Sequence, residues 1–322
     1  RVLLPTEQSS LRNRLPDIGR DEPQQSYYHA PHQKTMLNPP PPVVGTRINP
    51  ITGLKEPRVF PKTYGCDGGV DYGLLYTLRS GTAAFYDKSL ESGTVFISGP
   101  RSGCSNSIIP SGGLLNVPYF YEGCTCSYPL PIGLSMVAMP ETHEQWASWG
   151  EDPVKPNSIL RIGLNFGAPG DRKTRDGTLW LDYPSVGGPS PQIRVETSPT
   201  TPTFRYRHSL WMNKGQSQPW IGASTVEGLQ ELKLHDLNPG RYSVRLHLAE
   251  TGDAKKGERI QTIQLQGKSV LSGFDIHSAA NGSMTGLVRE FETEIDDGTL
   301  KLNFKATVGL SLISGIELIR KP

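Results

Sequence analysis

The sequence predicts an all-β chain, with a β-sandwich over residues 159–322 preceded by a cysteine-bearing β segment. Three observations predict it. Glycine (35) and proline (28) are abundant among 322 residues and hydrophobic residues make up only 35%, a mixture that favours short strands and turns over long helices. Apolar and polar residues alternate in RYSVRLHLAE (241–250) and LKLNFKATV (300–308), the period of a sheet with one wet face. Short β-type runs also recur across residues 61–150, at about ten-residue spacing.

Residues 1–60 hold ten of the 28 prolines, including the run 39–42, and no hydrophobic period survives there. Such a stretch buries too little apolar surface to offset its own ordering entropy, so it reads as an extended arm lying on a partner or on the next domain. Tyr27, Tyr28 and His29 are its candidate anchors. Residues 61–140 hold the runs LLYTL (74–78), AAFYD (83–87), TVFIS (94–98), LLNVP (114–118) and GLSMVAM (133–139), each expected as a strand. Residues 141–158 lose all period and read as a linker. In the sandwich, Val244, Leu246 and Leu248 face the core and Ser243, Arg245 and His247 face away. Leu300, Leu302 and Phe304 likewise point inward, with Lys301, Asn303 and Lys305 outward. QTIQLQGKSVLSGFDI (261–276) is expected to be a hairpin turning at Gly267-Lys268.

The net charge of +2 offers no electrostatic case for nucleic acid or an anionic membrane. No apolar run approaches the roughly 18 residues that a spanning helix needs. The N-terminal RVLLPTEQSS shows neither an initiator methionine nor a secretory signal, as expected of a processed end or of the tail of a longer precursor.

All four cysteines (Cys66, Cys104, Cys124, Cys126) fall within 61–140. The Cys124–Cys126 pair is spaced CxC, whereas structural zinc sites use CxxC knuckles, and His29, His32 and His143 complete no ligand pattern. Haem attachment needs CxxCH. A redox pair wants CxxC at a helix start, which Pro129 and Pro131 forbid here. Disulfides in an oxidising compartment remain. A Cys124–Cys126 ring would be small and strained, so each is expected to pair with a distant partner, one with Cys66 and the other with Cys104. Each bridge would add roughly 2–4 kcal/mol.

The motifs RSGTAAFYD (79–87), Gly103-Cys104 and GCTCSYP (123–129) resemble the end of a PQQ-like β-propeller domain found in large exported bacterial proteins, notably of planctomycetes. The stretches LNFGAPGDRKTRDGTLWLDYP (164–184), YSVRLHLAET (242–251), IQLQGKSVLSGFDI (263–276) and LSLISGIELI (310–319) resemble the malectin-like carbohydrate-binding fold, a sandwich of jelly-roll type. The resemblance implies an exported, non-catalytic module that binds a glycan or a partner and completes a propeller whose other blades come from the same precursor or another chain. This segment alone offers no complete site for the quinone cofactor of such domains. The alternatives are a fragment of a propeller enzyme (quinoprotein dehydrogenase-like or polysaccharide-degrading) and a structural subunit of an extracellular assembly.

Sugars are held by aromatic faces and by planar polar groups that bond neighbouring hydroxyls. Two groups qualify: Trp180, Asp182 and Tyr183, beside Arg175 and Asp176, and then Tyr206, Trp211 and Trp220, beside His208. The plainer reading is that Trp180 and Asp182 share a strand face, with the indole at the edge of the core. Asp171 and Asp176 bracket a loop with enough oxygen for calcium, although most Asp-Gly loops are turns. His247 and Glu250 fall on opposite faces by parity and form no acid/base pair.

Overall fold

A computed structural model describes residues 45–58, 60, 69–80, 82–97, 108–118, 133–138 and 144–322, and among them regular structure is almost all strand. The four cysteines and Tyr27, Tyr28 and His29 lie outside these residues.

The described part of the proline-rich arm is a hairpin, β1 (Thr46–Ile48) and β2 (Lys55–Pro57). Asn49 holds its turn, accepting from the Ile51 amide at 2.9 Å and donating to Glu56 at 2.9 Å. The turn delivers Ile51, fully buried, into the core of the sandwich. An antiparallel meander follows: β3 (Val70–Asp71), β4 (Leu75–Ser80), β5 (Thr82–Asp87) and β6 (Thr94–Ile97). Phe60, Tyr76, Leu78, Ala84 and Tyr86 close a small core beneath it, with Phe60 stacked on Tyr76 at 4.1 Å. A second small sheet joins β7 (Ile109–Ser111), β8 (Leu114–Val117) and β9 (Leu134–Val137). Four of the runs expected as strands thus match β4, β5, β6 and β8, and GLSMVAM matches β9. Among the described residues both sheets stay open, and no propeller ring is formed.

The stretch expected as a linker, 141–158, is from Glu144 onward a strap. Its strand β10 (Ala147–Ser148) adds to the meander by pairing with β6, while Ala147 exchanges both backbone hydrogen bonds with Asp171 of the sandwich at 2.8 Å. Trp149 is buried, and the Arg47 guanidinium covers its ring at 3.6 Å.

The sandwich takes in β11 (Arg161–Phe166), β12 (Arg172–Lys173), β13 (Leu179–Tyr183), β14 (Val195–Ser198), β15 (Thr203–Tyr206), β16 (Ser224–Glu227), β17 (Glu231–Leu234), β18 (Gly240–Leu248), β19 (Ile260–Leu265), β20 (Lys268–Phe274), β21 (Leu287–Ile295), β22 (Leu300–Val308), β23 (Leu312–Ile313) and β24 (Gly315–Arg320). One six-stranded sheet runs β12-β13-β11-β24-β18-β21, and a five-stranded sheet runs β14-β17-β22-β19-β20. β15-β16-β23 forms a third, smaller sheet. Alternate side chains of the two large sheets share one core, including Ile162, Leu164, Val244, Leu246, Leu302 and Leu318. The inward sets expected on β18 and β22 lie in this core, but Ser243 and His247 of the outward set on β18 are buried as well, on the other face of the sheet. The β19–β20 turn sits one residue earlier than expected. Gln266 and Gly267 both take positive φ (48° and 78°), and Lys268 already pairs with Leu265.

Ile51 is separated from the sandwich in sequence but belongs to its core. Ile51→Ala is expected to destabilise the sandwich by about 2–4 kcal/mol, read as a lower urea midpoint at an unchanged slope.

Candidate functional site: a cleft on the outer face of the six-stranded sheet

Parity places every second side chain of the six-stranded sheet on the face away from the core. Strand register lines these up in rows. One row reads Arg172, Trp180, Gly163, Glu317, Arg245 and Glu290, from β12 across to β21. The next reads Asp182, Asn165, Gly315, His247 and Val288. Over these rows lies an open cleft of about 790 Å³, whose remaining walls include Gln216, Gln218 and Trp220.

The floor exists because two positions lack side chains. A Cβ on Gly163 would fall inside the Trp180 indole, and one on Gly315 would stand 2.9 Å from it. The ring therefore lies flat along the sheet, 2% exposed. Trp220, on the short helix Pro219–Gly222, meets it edge-on at 5.9 Å, and Trp146 meets Trp220 at 5.9 Å in turn. His247 packs against the Trp180 ring at 4.9 Å, its Nδ1 paired with the Ser217 hydroxyl at 2.7 Å. Trp180 Nε1 and His247 Nε2 are buried there without hydrogen-bond partners among the described residues. Burial, and then the neighbouring Arg245, push the His247 pKa down to about 3.

The polar walls are largely preset. Arg245 bridges Glu290 (3.1 Å) and Glu317 (3.2 Å), Glu317 also accepts from the Thr178 hydroxyl, and Arg161 holds Asp176 at 2.8 Å. The Ser243 hydroxyl, and then Arg245, keep the Glu290 carboxyl below the usual range. A general acid for glycosidic cleavage needs the opposite shift. Arg172 lies over Trp220 at 4.8 Å and Trp146 at 5.9 Å, with no carboxylate of the described residues within ion-pair distance.

Of the residues proposed from sequence, Trp180 and Trp220 reach this cleft, but as its floor. At 2% and 7% exposure neither offers an open stacking face, because the glycine gutter and Arg172 cover them. Arg175 and Asp176 line the rim. Tyr183 points into the core side, against Phe166 and Phe204. Tyr206 (43% exposed) lies beyond Trp146 and donates to Glu144, and Trp211 (64% exposed) stands on an outward turn at Ser209–Trp211. Asp182, in the second row, is buried outside the cleft, where it accepts from the Val186 and Gly187 amides at 2.8 Å.

The two calcium candidates are not brought together. Asp176 is exposed on Arg161. Asp171 is buried, accepting from the Trp149 amide (3.0 Å) and the Ser190 hydroxyl (2.8 Å). Burial, and then the charge of Asp182, raise its pKa. Among the described residues no group of three or more His, Cys, Asp or Glu is placed to hold a metal ion.

Sequence reasoning missed Trp146, Arg172, Gln216, Gln218, Glu290 and Glu317. Arg245 and His247 were already assigned to the outward face, and the same parity applied to GIELI (315–319) would have found Glu317.

Gly163→Ala is expected to lift the indole and destabilise the fold by about 1–3 kcal/mol, with a change in tryptophan emission. For His247 the sign runs against acid. The unfolded ring takes a proton near pH 6.5, and the folded one holds off to about 3. Stability is thus lost as pH falls through that window, by about 1.4 kcal/mol per unit. His247→Gln is expected to flatten that slope in denaturant melts run from pH 7 to 4.

No curated protein sequence matches this chain. Among solved structures it is similar to a β-glucuronidase of Bacteroides uniformis, at 15% identity over 51% of this chain and 18% of that one, TM-score 0.40. It is also similar to the ANXUR2 extracellular domain from Arabidopsis thaliana, at 15% identity over 49% of this chain and 47% of that one, TM-score 0.40. The ANXUR1 extracellular domain from the same plant gives 14% identity over 49% and 47%, TM-score 0.39. The chain thus spans from about a fifth to about half the length of these proteins. Residues 233–318 match the Malectin domain, a stretch that supplies Arg245, His247, Glu290 and Glu317 of the cleft but not Arg172, Trp180 or Trp220.

Proposed function

We propose that this chain is a carbohydrate-binding module that takes a glycan in the cleft on the outer face of the six-stranded sheet. The observation that carries it is the cleft itself. Planar hydrogen-bonding side chains, Arg245, Glu290, Glu317, Gln216 and Gln218, surround one open groove over a rigid aromatic floor. Such groups match the paired donors and acceptors of neighbouring sugar hydroxyls. Several are pre-oriented by the Arg245 bridges and by the bonds that the Val288 amide and Arg289 make to Gln216. The Malectin domain match over the same strands supports the reading. Binding here uses hydrogen bonds within the groove, since the tryptophan faces are covered.

Export, bridged cysteines and the completion of a propeller by residues 61–140 belong to this reading as the sequence resemblance and the cysteine pattern support it. Among the described residues no helix is long and apolar enough to cross a membrane.

A glycan array followed by titration calorimetry on the full chain tests the site. Trp220→Ala, which removes floor and rim together, is expected to weaken binding by about tenfold or more, and Trp211→Ala, outside the cleft, to leave it unchanged. The reverse pattern would move the site to the exposed turn at 209–211.

A further inference from the structure

The ion pairs around the cleft are lopsided. All three carboxylates that line it are already neutralised: Glu290 and Glu317 by Arg245, and Asp176 by Arg161. Two cations on the facing rim, Arg172 and Arg175, also line it, and among the described residues neither has a carboxylate within ion-pair distance; Lys173, next to Arg172 on β12, turns its ammonium away to the Leu90 carbonyl at 3.1 Å.

Arg172 is the informative one. It is half-buried, held over the Trp220 and Trp146 rings. The acid whose charge acts on it, Glu144, accepts from the Tyr206 hydroxyl, the Ser209 amide and Trp146 Nε1 and forms no ion pair with it. A half-buried guanidinium without a direct ion pair has given up part of its hydration, a loss that an anion bound in the cleft would offset. Its planar fork suits a carboxylate or a sulfate. In the register row Arg172 stands at one end and the Arg245–Glu290 pair at the other, four and five strand spacings away, about 19–24 Å. The groove therefore has a cationic end and an end of fixed, neutralised hydrogen-bonding groups.

We infer that the ligand is an acidic saccharide, whose ring-borne carboxylate or sulfate ester is captured by Arg172 while its hydroxyls bond along the Arg245–Glu317 row. This rests on the glycan-binding reading above and adds the charge of the ligand. Arg175 at the rim supplies longer-range attraction.

The test is calorimetry on the full chain with four probes: an oligogalacturonate, its methyl-esterified counterpart, a chondroitin sulfate oligosaccharide and a neutral malto-oligosaccharide. One of the two anionic probes should bind about tenfold or more tighter than the uncharged ones, and which of them does so identifies carboxylate or sulfate. That margin should shrink as salt rises to about 0.5 M. Arg172→Gln should abolish the margin, Arg172→Lys should keep part of it, and Arg175→Gln, at the exposed rim, should cost only a few-fold. Equal binding of charged and uncharged probes, or an undiminished margin in a folded Arg172→Gln, overturns the acidic ligand and leaves the glycan reading standing. If Arg172→Gln fails to fold, a margin unmoved by both salt and Arg175→Gln overturns it equally. A failure of every saccharide, on the array and in solution, overturns both.

Discussion

The contact on which the rest of the cleft depends is that of one indole with two glycines. Trp180 lies flat because Gly163 and Gly315, on the next two strands of the sheet, present bare backbone to it. A tryptophan on the outer face of a sheet would ordinarily stand up and fill the space above it. Laid down, it becomes a pavement, and the volume it vacates is the cleft. His247 and Trp220 then take their places from its edges. The price is two ring nitrogens buried without partners among the described residues, at a spot where the sheet would otherwise carry ordinary polar side chains in water.

Electrostatics divides this surface into parts that are settled and parts that are open. Arg245 sits between two acids on flanking strands, so its guanidinium and both carboxylates are oriented before any ligand arrives. Preorganisation of this kind reduces what a ligand must spend on ordering side chains. Arg172 is oriented too, but by aromatic rings rather than by an anion, and its charge stays available. The same strand that contributes Arg172 is reached through Asp171, whose buried carboxyl fixes the strap to the sandwich. The cleft wall and the junction with the N-terminal sheets are consequently parts of one mechanical unit.

Much of the fold could be read in the sequence because period-2 alternation is a direct record of which face is wet. β18 and β22 were legible residue by residue, and their outward sets include Arg245 and His247. The site was less legible for a geometric reason. Trp180 was singled out, yet whether it stacks on a ligand or lies down depends on Gly163 and Gly315, which are far from it in sequence. Trp146 and Asp171 hold a segment that shows no period at all, so its role as a strap could not be seen from composition. Ile51 gave no signal either, since a single isoleucine in a proline-rich stretch has no neighbours in register to declare its direction.

One further consequence follows from the place of β24 in the six-stranded sheet. It lies between β11 and β18, pairing with both, although it is the latest of these strands in the chain. During synthesis β11, β13 and β18 emerge first and must wait with an unfilled gap between them. Pairings this distant in sequence make for slow folding, and the waiting strands expose unpaired edges and apolar faces. Glu317 arrives on the same late strand. The groove and the closed core are therefore completed together, and a ribosome stalled before residue 315 would hold neither.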